Sequence, residues 1–501
     1  GHYGLAREFA TILGRPLRPM DTSFSWPTSA SAWPIELQDP DCPQYLGISI
    51  YLPGGPRQSP QWMRARLLAV GARPRNDVVD ITNYVLLETG QPLHAFDAAR
   101  LQGGKIVVRS ARAGETLRSL DGEALALDGT ELMIADAQAP VALAGVIGGL
   151  ESAVAEGTER ILLEAAVFRA ARVRRSAQRF ALRTDASSRF EKSLDPLGAE
   201  TAARRACVLL QSIRPDANIE SAPARAGSAQ DPQLRVAFDP RRCARFLGVD
   251  PGPAETRGIL ERLGFGVDHH APVWTVSIPS WRATKDVSRE VDLVEEVGRI
   301  HGYHRIPAQA LNAPVVPPLV QPQRALARRL AARLRGAHQA CETQTYSFLA
   351  RTWLEKLRAQ PSDFLRIANP VQAESDLVRR DPVPALLEQA HANARERATG
   401  RLFEEAHGYE PQTGAEPRER SWLALLEWER RPCAVEGPLS LFARLRAVAE
   451  DLWHQTGITA LVRAIAGGTE DTPWLHPAHS LQWKAGSTAS LGAAAATRAA
   501  V

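Results

Sequence analysis

The sequence predicts an α+β fold divided among several domains. A chain of 501 residues is long enough for three or more domains, each with a core of its own. Short β-rich runs between Gly and Asp turns occupy residues 106–134, and segments with helical periodicity lie on both sides of them. Stretches rich in small residues and Pro, at 222–232 and 307–322, divide the chain further. We therefore expect mixed domains joined by linkers.

The first large domain is predicted over residues 34–221, after a connecting segment over residues 1–33. A helix over residues 5–13 should end at the stop signal Gly14-Arg15-Pro16. The further elements follow in chain order: a strand over 45–52, a helix over 61–69, strands over 106–109 and 131–134, and helices over 165–177 and 197–213. Strands and helices therefore share this domain.

Two smaller regions complete the chain. Residues 233–307 are predicted to form a compact unit, with its elements in this order: helices over 240–246 and 254–263, a strand over 273–278 and a helix over 291–300. A Pro-rich linker over 308–322 precedes a last domain over 323–483. That domain should begin with an amphipathic helix through Leu326, Leu330 and Leu334. The tail over 484–501 is a low-complexity segment, and we expect residues 487–501 to be disordered.

Charge and cysteine content restrict the class of protein. The formal charge of +4 comes from 60 basic and 56 acidic residues, so the total indicates no particular partner. The cysteines are dispersed without C-x-x-C spacing, as in a reducing cytoplasm: Cys42, Cys207, Cys243, Cys341 and Cys433. His301 and His304 lack the second ligand pair of a zinc site. The longest apolar run, 139–150, is too short to span a membrane, and we expect a cytoplasmic protein.

An acidic face is predicted on the helix over 291–300. Asp292, Glu295 and Glu296 are spaced i, i+3 and i+4, and Asp286 lies six residues before Asp292. Four carboxylates near a helix start can hold a hard cation such as Mg²⁺. An acidic first turn that complements the helix dipole explains the same spacing, so spacing alone leaves both interpretations open.

Polar residues in apolar surroundings indicate a second candidate site. His94 follows a Gly-Gln-Pro turn, and Glu164 has apolar neighbours and needs a partner if it is buried. The glycines of segment 144–149 permit close approach of backbone N–H groups to a ligand. Each feature also has a purely structural explanation, such as a core histidine at His94 or a helix cap at Asn83.

These segments closely resemble the β subunit of bacterial phenylalanine–tRNA ligase. The resemblance rests on P-S-W-R at 279–282, on D-x5-D-L-V-E-E-V-x-R-I-x-G-Y at 286–303, and on the ordered segments between Arg73 and Lys192. It implies a tRNA-editing domain, a small winged-helix-like metal-binding domain, and a degenerate class II synthetase catalytic-like domain. It also implies that the acidic residues are Mg²⁺ ligands at the contact with a catalytic α subunit: Asp286, Asp292, Glu295 and Glu296.

The resemblance further implies an editing pocket that hydrolyses tyrosine wrongly attached to the tRNA for phenylalanine. The implied catalytic residues are Asn83, His94 and Thr184. The implied substrate-binding residues are Arg73, Gly148, Glu164 and Ala186. An aminoacyl ester is already activated, so a positioned water and stabilisation of the oxyanion suffice for its hydrolysis. Glu164 would then read the tyrosine hydroxyl, which phenylalanine lacks.

The last domain is expected to dock partners rather than to activate amino acids. No G-x-G-x-x-R-type motif that could clamp ATP is found in it, so ATP use should belong to the α subunit. The resemblance implies an (αβ)₂ heterotetramer that binds tRNA. Two alternatives stay open: a non-catalytic scaffold for tRNA and subunits, and a free-standing editing hydrolase.

Overall fold

The computed structural model describes residues 1–29, 33–308, 310, 312–357, 359–430, 437–457, 460–465, 480–485 and 498–499. The chain forms two compact units, Gly1–Leu311 and Asn312–Val501. Among the described residues, no helix is both long enough and apolar enough to cross a membrane.

The larger part of the first unit contains two five-stranded sheets and six helices. Its helices are α1 (His2–Ile12), α2 (Gln61–Ala69), α3 (Asp77–Thr89), α4 (Ala170–Arg179), α5 (Ser187–Phe190) and α6 (Gly198–Ile213). Its strands are β1 (Ile35–Leu37), β2 (Gln44–Tyr51), β3 (His94–Asp97), β4 (Ile106–Ser110), β5 (Thr116–Arg118), β6 (Ala124–Ala126), β7 (Leu132–Ala135), β8 (Pro140–Leu143), β9 (Ile147–Gly148), β10 (Arg160–Val167), β11 (Asn218–Ile219) and β12 (Ala224–Gly227).

The two sheets share one core, and the helices cover a second core. The first sheet has the order β1-β4-β7-β8-β9; the second has the order β11-β2-β10-β3, with β12 also paired to β2. Leu162 of β10 and Phe96 of β3 point into the core between the sheets, together with Met133 of β7. Ile161 and Leu163 point the other way, toward the core covered by α2, α3 and α6. Because side chains alternate along a strand, His94 and Glu164 face the core between the sheets.

The rest of the first unit is a small sheet covered by three helices. Its elements are β13 (Arg235–Phe238), α7 (Pro240–Leu247), α8 (Pro253–Arg262), β14 (Gly266–Asp268), β15 (Trp274–Ser277) and α9 (Glu290–His301). The strand order is β13-β15-β14. Phe238, Val276 and Leu293 are fully buried in its core, so α9 is held against the sheet by its apolar face.

The second unit is built around a long antiparallel hairpin. Its helices are α10 (Pro322–Gly336), α11 (Thr352–Leu357), α12 (Val383–Asn393) and α13 (Gly437–Thr456). Its strands are β16 (Cys341–Glu342), β17 (Phe348–Leu349), β18 (Leu365–Arg366), β19 (Leu377–Val378), β20 (Thr399–Glu410), β21 (Arg418–Glu429), β22 (Ala460–Ile465), β23 (Ser480–Ala485) and β24 (Arg498–Ala499). Phe403 of β20 packs with Leu334 of α10 and Val448 of α13. Beside this core, the buried Arg379 donates to Glu404 Oε1 at 3.0 Å.

The structure confirms most predicted elements and corrects two. The predicted helix over 165–177 is wrong at its start, because β10 continues to Val167 and α4 begins only at Ala170. The antiparallel pairing of β10 with β2 explains this, since it continues to Val167 and outweighs the helix propensity of Ala165-Ala166. The predicted linker over 222–232 contains strand β12. The predicted disorder over 487–501 falls almost entirely outside the described residues.

Candidate functional site

His94 lies at the start of β3, half-buried, with its ring at the edge of the core between the sheets. The ring packs edge-on against Phe96, with ring centres 4.5 Å apart. Its Nε2 atom is buried and has no hydrogen-bond partner in the described part of the chain. Burial lowers the pKa of His94 to about 4, so the imidazole is neutral near pH 7. A neutral ring with an unpartnered nitrogen can hold a water or a ligand by one hydrogen bond.

Gly148 of β9 forms the surface on which that ring rests. A Cβ atom added at Gly148 would lie 2.5 Å from Cε1 of His94 and 2.8 Å from Nε2. The Gly148 carbonyl accepts a hydrogen bond from the Leu120 N–H at 3.0 Å. Glycine is therefore required at this position for a steric reason, and the position of the His94 ring depends on it.

Glu164 of β10 lies opposite His94 in the antiparallel pairing of β10 with β3. Its side chain is buried, and Oε2 accepts a hydrogen bond from the hydroxyl of Tyr45 at 2.8 Å. Burial raises the pKa of Glu164 to about 7, and the hydrogen bond from Tyr45 opposes that rise. A carboxyl that changes its charge near neutral pH thus lies across one strand pair from a neutral imidazole.

Thr184 fixes the turn before Gly148 rather than facing a ligand with its hydroxyl. Its Oγ1 donates to the Val146 carbonyl at 2.7 Å and accepts from the Ser187 N–H at 3.0 Å. The Ser187 hydroxyl in turn accepts from the Thr184 N–H at 2.9 Å. Ala186, between these two residues, packs against the core that contains Phe96. This loop and the glycine turn form one hydrogen-bonded unit beside His94.

Arg73 and Asn83 lie apart from that cluster. Arg73 is exposed in the loop between α2 and α3, and Asn83 is half-buried within α3. Because α3 packs on the opposite face of the second sheet, the sheet lies between this helix and the core that contains His94. The helix cap that the sequence allowed for Asn83 is instead Asn76, whose side chain accepts from the Val79 N–H. The structure thus joins five of the seven predicted residues.

The predicted acidic face on α9 does not form a metal-binding group. Across the described residues, no cluster of three or more His, Cys, Asp or Glu side chains is placed to hold a metal ion. Asp292 caps α9, with Oδ2 accepting from the N–H groups of Ser288 and Arg289 at 2.9 and 2.8 Å. Glu295 is exposed. The dipole-complementing interpretation of the spacing therefore describes Asp292 better than the metal interpretation does.

Arginines neutralise the two remaining carboxylates. Glu296 is buried and accepts from Arg282 at 2.7 and 3.0 Å and from Arg299 at 3.1 Å. Arg282 also pairs with Asp286, and Arg299 pairs with Glu8 of α1. Against the effect of burial, hydrogen bonds from Arg299 and Arg282 lower the pKa of Glu296. A carboxylate with two guanidinium partners has little capacity left for Mg²⁺, so these residues do not fit the cation in this chain alone.

Sequence reasoning missed two residues of the site, Tyr45 and Ser187. The need of a buried Glu164 for a partner was a usable signal for Tyr45. The partner itself lies 119 residues away in the sequence, and only the pairing of β2 with β10 brings the two together. Ser187 lies within the segments between Arg73 and Lys192 that carry the resemblance, but its exchange of hydrogen bonds with Thr184 depends on the backbone of the loop that joins them.

The sequence of this multidomain chain matches family models of the aminoacyl-tRNA synthetase class. Residues 41–215 match the B3/4 domain, residues 236–303 the tRNA synthetase B5 domain, and residues 306–496 the phenylalanyl tRNA synthetase beta chain CLM domain. These three matches follow one another along most of the chain. The chain belongs to the phenylalanine–tRNA ligase beta subunit family.

Individual relatives agree with this assignment over most of the chain. The phenylalanine–tRNA ligase beta subunit of Solibacter usitatus is 39% identical over 81% of this chain and 52% of its own length. That of Anaeromyxobacter dehalogenans is 36% identical over 98% of this chain and 62% of its own. The beta subunit of Moorella thermoacetica is 36% identical over 96% of this chain and 60% of its own length. The chain thus spans roughly half to three-fifths of the length of these relatives.

Proposed function

We propose that the chain works as the beta subunit of a phenylalanine–tRNA ligase and contains an editing site that hydrolyses tyrosyl-tRNA. The observation that supports an editing site is the pair of His94 and Glu164, which lie opposite each other on the paired strands β3 and β10. One is a half-buried imidazole whose buried Nε2 atom has no partner among the described residues, and the other is a buried carboxyl. Buried polar groups without full partners are costly and concentrate at functional sites.

The hydrolytic step needs a water held at the ester carbon. In the proposal, Nε2 of His94 holds that water and takes up its proton as the water attacks. The C–O bond to the ribose then breaks, and His94 passes the proton to the ribose oxygen, which leaves tyrosine with a free carboxylate and the ribose with a free hydroxyl. The low pKa of His94 makes it a weak base, so it contributes mainly by positioning. Thr184 supports this by fixing the glycine turn under the ring.

Selection for tyrosine is assigned to Glu164. Oε1 of Glu164 has no hydrogen-bond donor in the described part of the chain, so it can accept one from a phenol hydroxyl. Phenylalanine would leave this oxygen dry and unpaired, which costs about 1.5–3 kcal/mol, or about 10- to 150-fold in rate. The correct product would therefore survive.

The subunit role extends the proposal beyond this chain. Activation of phenylalanine with ATP is assigned to an α subunit, because no ATP-clamping motif was found in residues 323–483. The partners proposed are that α subunit and tRNA, in an (αβ)₂ assembly in the cytoplasm. Mg²⁺ is not given a step here, because the carboxylates of α9 are already paired.

The test is deacylation of tRNA for phenylalanine that carries either tyrosine or phenylalanine. We expect the chain to release tyrosine at least about tenfold faster than phenylalanine. A Glu164→Ala variant should lose that preference while still hydrolysing esters. If the wild-type chain releases neither amino acid faster than buffer does, the chain is a scaffold for tRNA and subunits, and the editing proposal is wrong.

A further inference from the structure

We infer that Tyr45 is a positioning residue for the editing site, which holds Glu164 so that one carboxylate oxygen stays directed at the substrate hydroxyl. This inference rests on the proposed function. It adds to the site a residue that is neither one of the implied catalytic residues nor one of the implied substrate-binding residues.

The geometry makes Tyr45 a dedicated partner of Glu164. Tyr45 is fully buried near the start of β2, opposite Ala166 in the β2–β10 pairing, and Glu164 lies two residues earlier on β10. Both side chains point into the core between the sheets, and the Tyr45 hydroxyl donates to Oε2 at 2.8 Å. A buried side chain that ends in one hydrogen bond holds its acceptor in one rotamer, which also fixes Oε1.

The hydrogen bond also favours the charged form of Glu164. The other titratable groups that face Glu164 are Tyr45 on β2, His94 on β3 and Cys42 just before β2. Burial raises the pKa of both the Tyr45 hydroxyl and the Cys42 thiol, and it lowers the pKa of His94 to about 4. Among these four groups, Glu164 is therefore the one that gains or loses a proton near pH 7. An ionised carboxylate is the stronger acceptor for a phenol.

Tyr45→Phe removes only the hydroxyl and gives the direct test. We expect the preference for tyrosyl- over phenylalanyl-tRNA, as a ratio of kcat/KM values, to fall about tenfold at pH 7. The pH at which the preference is half-maximal should move upward, because Glu164 loses the hydrogen bond that stabilises its charge. In a Glu164→Gln background, Tyr45→Phe should cause no further loss, since Tyr45 acts through Glu164.

Tyr51→Phe is the matched control. It removes a hydroxyl from the other end of β2. Tyr51 lies opposite Arg160, not Glu164, in the β2–β10 pairing, and its ring centre is 5.8 Å from the Arg160 guanidinium. This variant should keep the wild-type ratio and the wild-type pH midpoint. A general loss of stability in β2 would change the selectivity ratio and the pH midpoint in both variants. A positioning role of Tyr45 changes them only in Tyr45→Phe.

A spectroscopic measurement separates this inference from the proposed function. The infrared band of the protonated Glu164 carboxyl, assigned by its loss in Glu164→Gln, should persist to higher pH in Tyr45→Phe than in the wild type. If that band titrates identically in the two proteins, or if Tyr45→Phe keeps the wild-type selectivity, the inference is wrong. If the wild type hydrolyses neither ester while the band shifts as expected, the pair is real and the editing proposal fails.

Discussion

The imidazole of His94 lies directly against the Cα atom of Gly148, with no room for a side chain between them. The two residues are 54 positions apart and belong to different sheets, β3 and β9. Their contact is therefore where the two sheets meet around the unpartnered Nε2 atom. In this arrangement a backbone glycine, rather than a hydrogen bond, sets the position of the ring.

Gly148→Ala should displace His94 and slow deacylation. The added Cβ would lie 2.5 Å from a ring carbon, so the imidazole must shift. Misplacement of a positioning group by about 1 Å costs about 10- to 100-fold in rate. The measurement is kcat for tyrosyl-tRNA deacylation. Gly157→Ala is the control, because a Cβ there meets nothing within 4 Å. Wild-type kcat in Gly148→Ala would show that the ring position does not matter.

Glu164→Gln should change the pH dependence of stability. The pKa of Glu164 is raised from 4.5 to about 7 by burial, so the folded state keeps a proton that the unfolded state loses. The stability contributed by this proton is complete below about pH 4.5 and is lost as the pH rises to 7. This contribution is about 3 kcal/mol. Glutamine does not titrate, so the variant lacks this loss.

The observable is the difference in free energy of unfolding between wild type and Glu164→Gln, from urea denaturation across pH 4–8. The wild type should lose stability relative to the variant between pH 4.5 and 7, with no further change above pH 8. A difference that stays constant over this range would mean that Glu164 titrates at its ordinary pKa and is not buried as described.

Glu296→Gln should destabilise the small helical part of the first unit. The substitution removes the charge that holds Arg282 and Arg299, although Asp286 and Glu8 still partner them. We expect a loss of about 2 kcal/mol in the free energy of unfolding. Glu295→Gln, one residue earlier and exposed, should stay within about 0.5 kcal/mol of wild type. If the two substitutions had equal effects, the ion pairs of Glu296 with Arg282 and Arg299 would not stabilise this part of the chain.

Addition of Mg²⁺ to the isolated chain should not stabilise it beyond the effect of ionic strength. Asp292 and Glu296 are already occupied by backbone N–H groups and by arginines. The measurement compares the thermal midpoint in MgCl₂ with that in NaCl of equal ionic strength. A saturable rise in MgCl₂ that disappears in Asp286→Asn would restore the metal interpretation of the acidic face.

The secondary structure could be predicted wherever the local pattern and the tertiary environment agree. The helix predicted over 61–69 coincides with α2 (Gln61–Ala69), and the helix predicted over 197–213 is α6 (Gly198–Ile213). The helix predicted over 165–177 was wrong at residues 165–167, because these residues satisfy either structure locally and their pairing with β2 decides in favour of β. The type of most elements could thus be predicted from the sequence, but the pairing of the strands could not.

Single residues of the site could be predicted, but their neighbours could not. His94 and Glu164 were distinctive as polar residues in apolar runs, but their pairing depends on the register of β3 against β10. The Mg²⁺ site at the contact with an α subunit stays a prediction. Asp292 and Glu296 lie on α9 as their spacing predicted, but the sequence did not indicate that Arg282, from the turn before the helix, pairs with Glu296.

We propose that the half-buried, neutral His94 and the buried Glu164 together form an editing site. Single-turnover deacylation of tyrosyl- and phenylalanyl-tRNA should be compared among the wild type, His94→Ala and Glu164→Ala. We predict that His94→Ala slows deacylation of both esters by about 100-fold and preserves the ratio of the two rates, and that Glu164→Ala removes most of that ratio. A wild-type chain that deacylates neither ester, or two variants that lose rate and selectivity alike, would contradict this proposal.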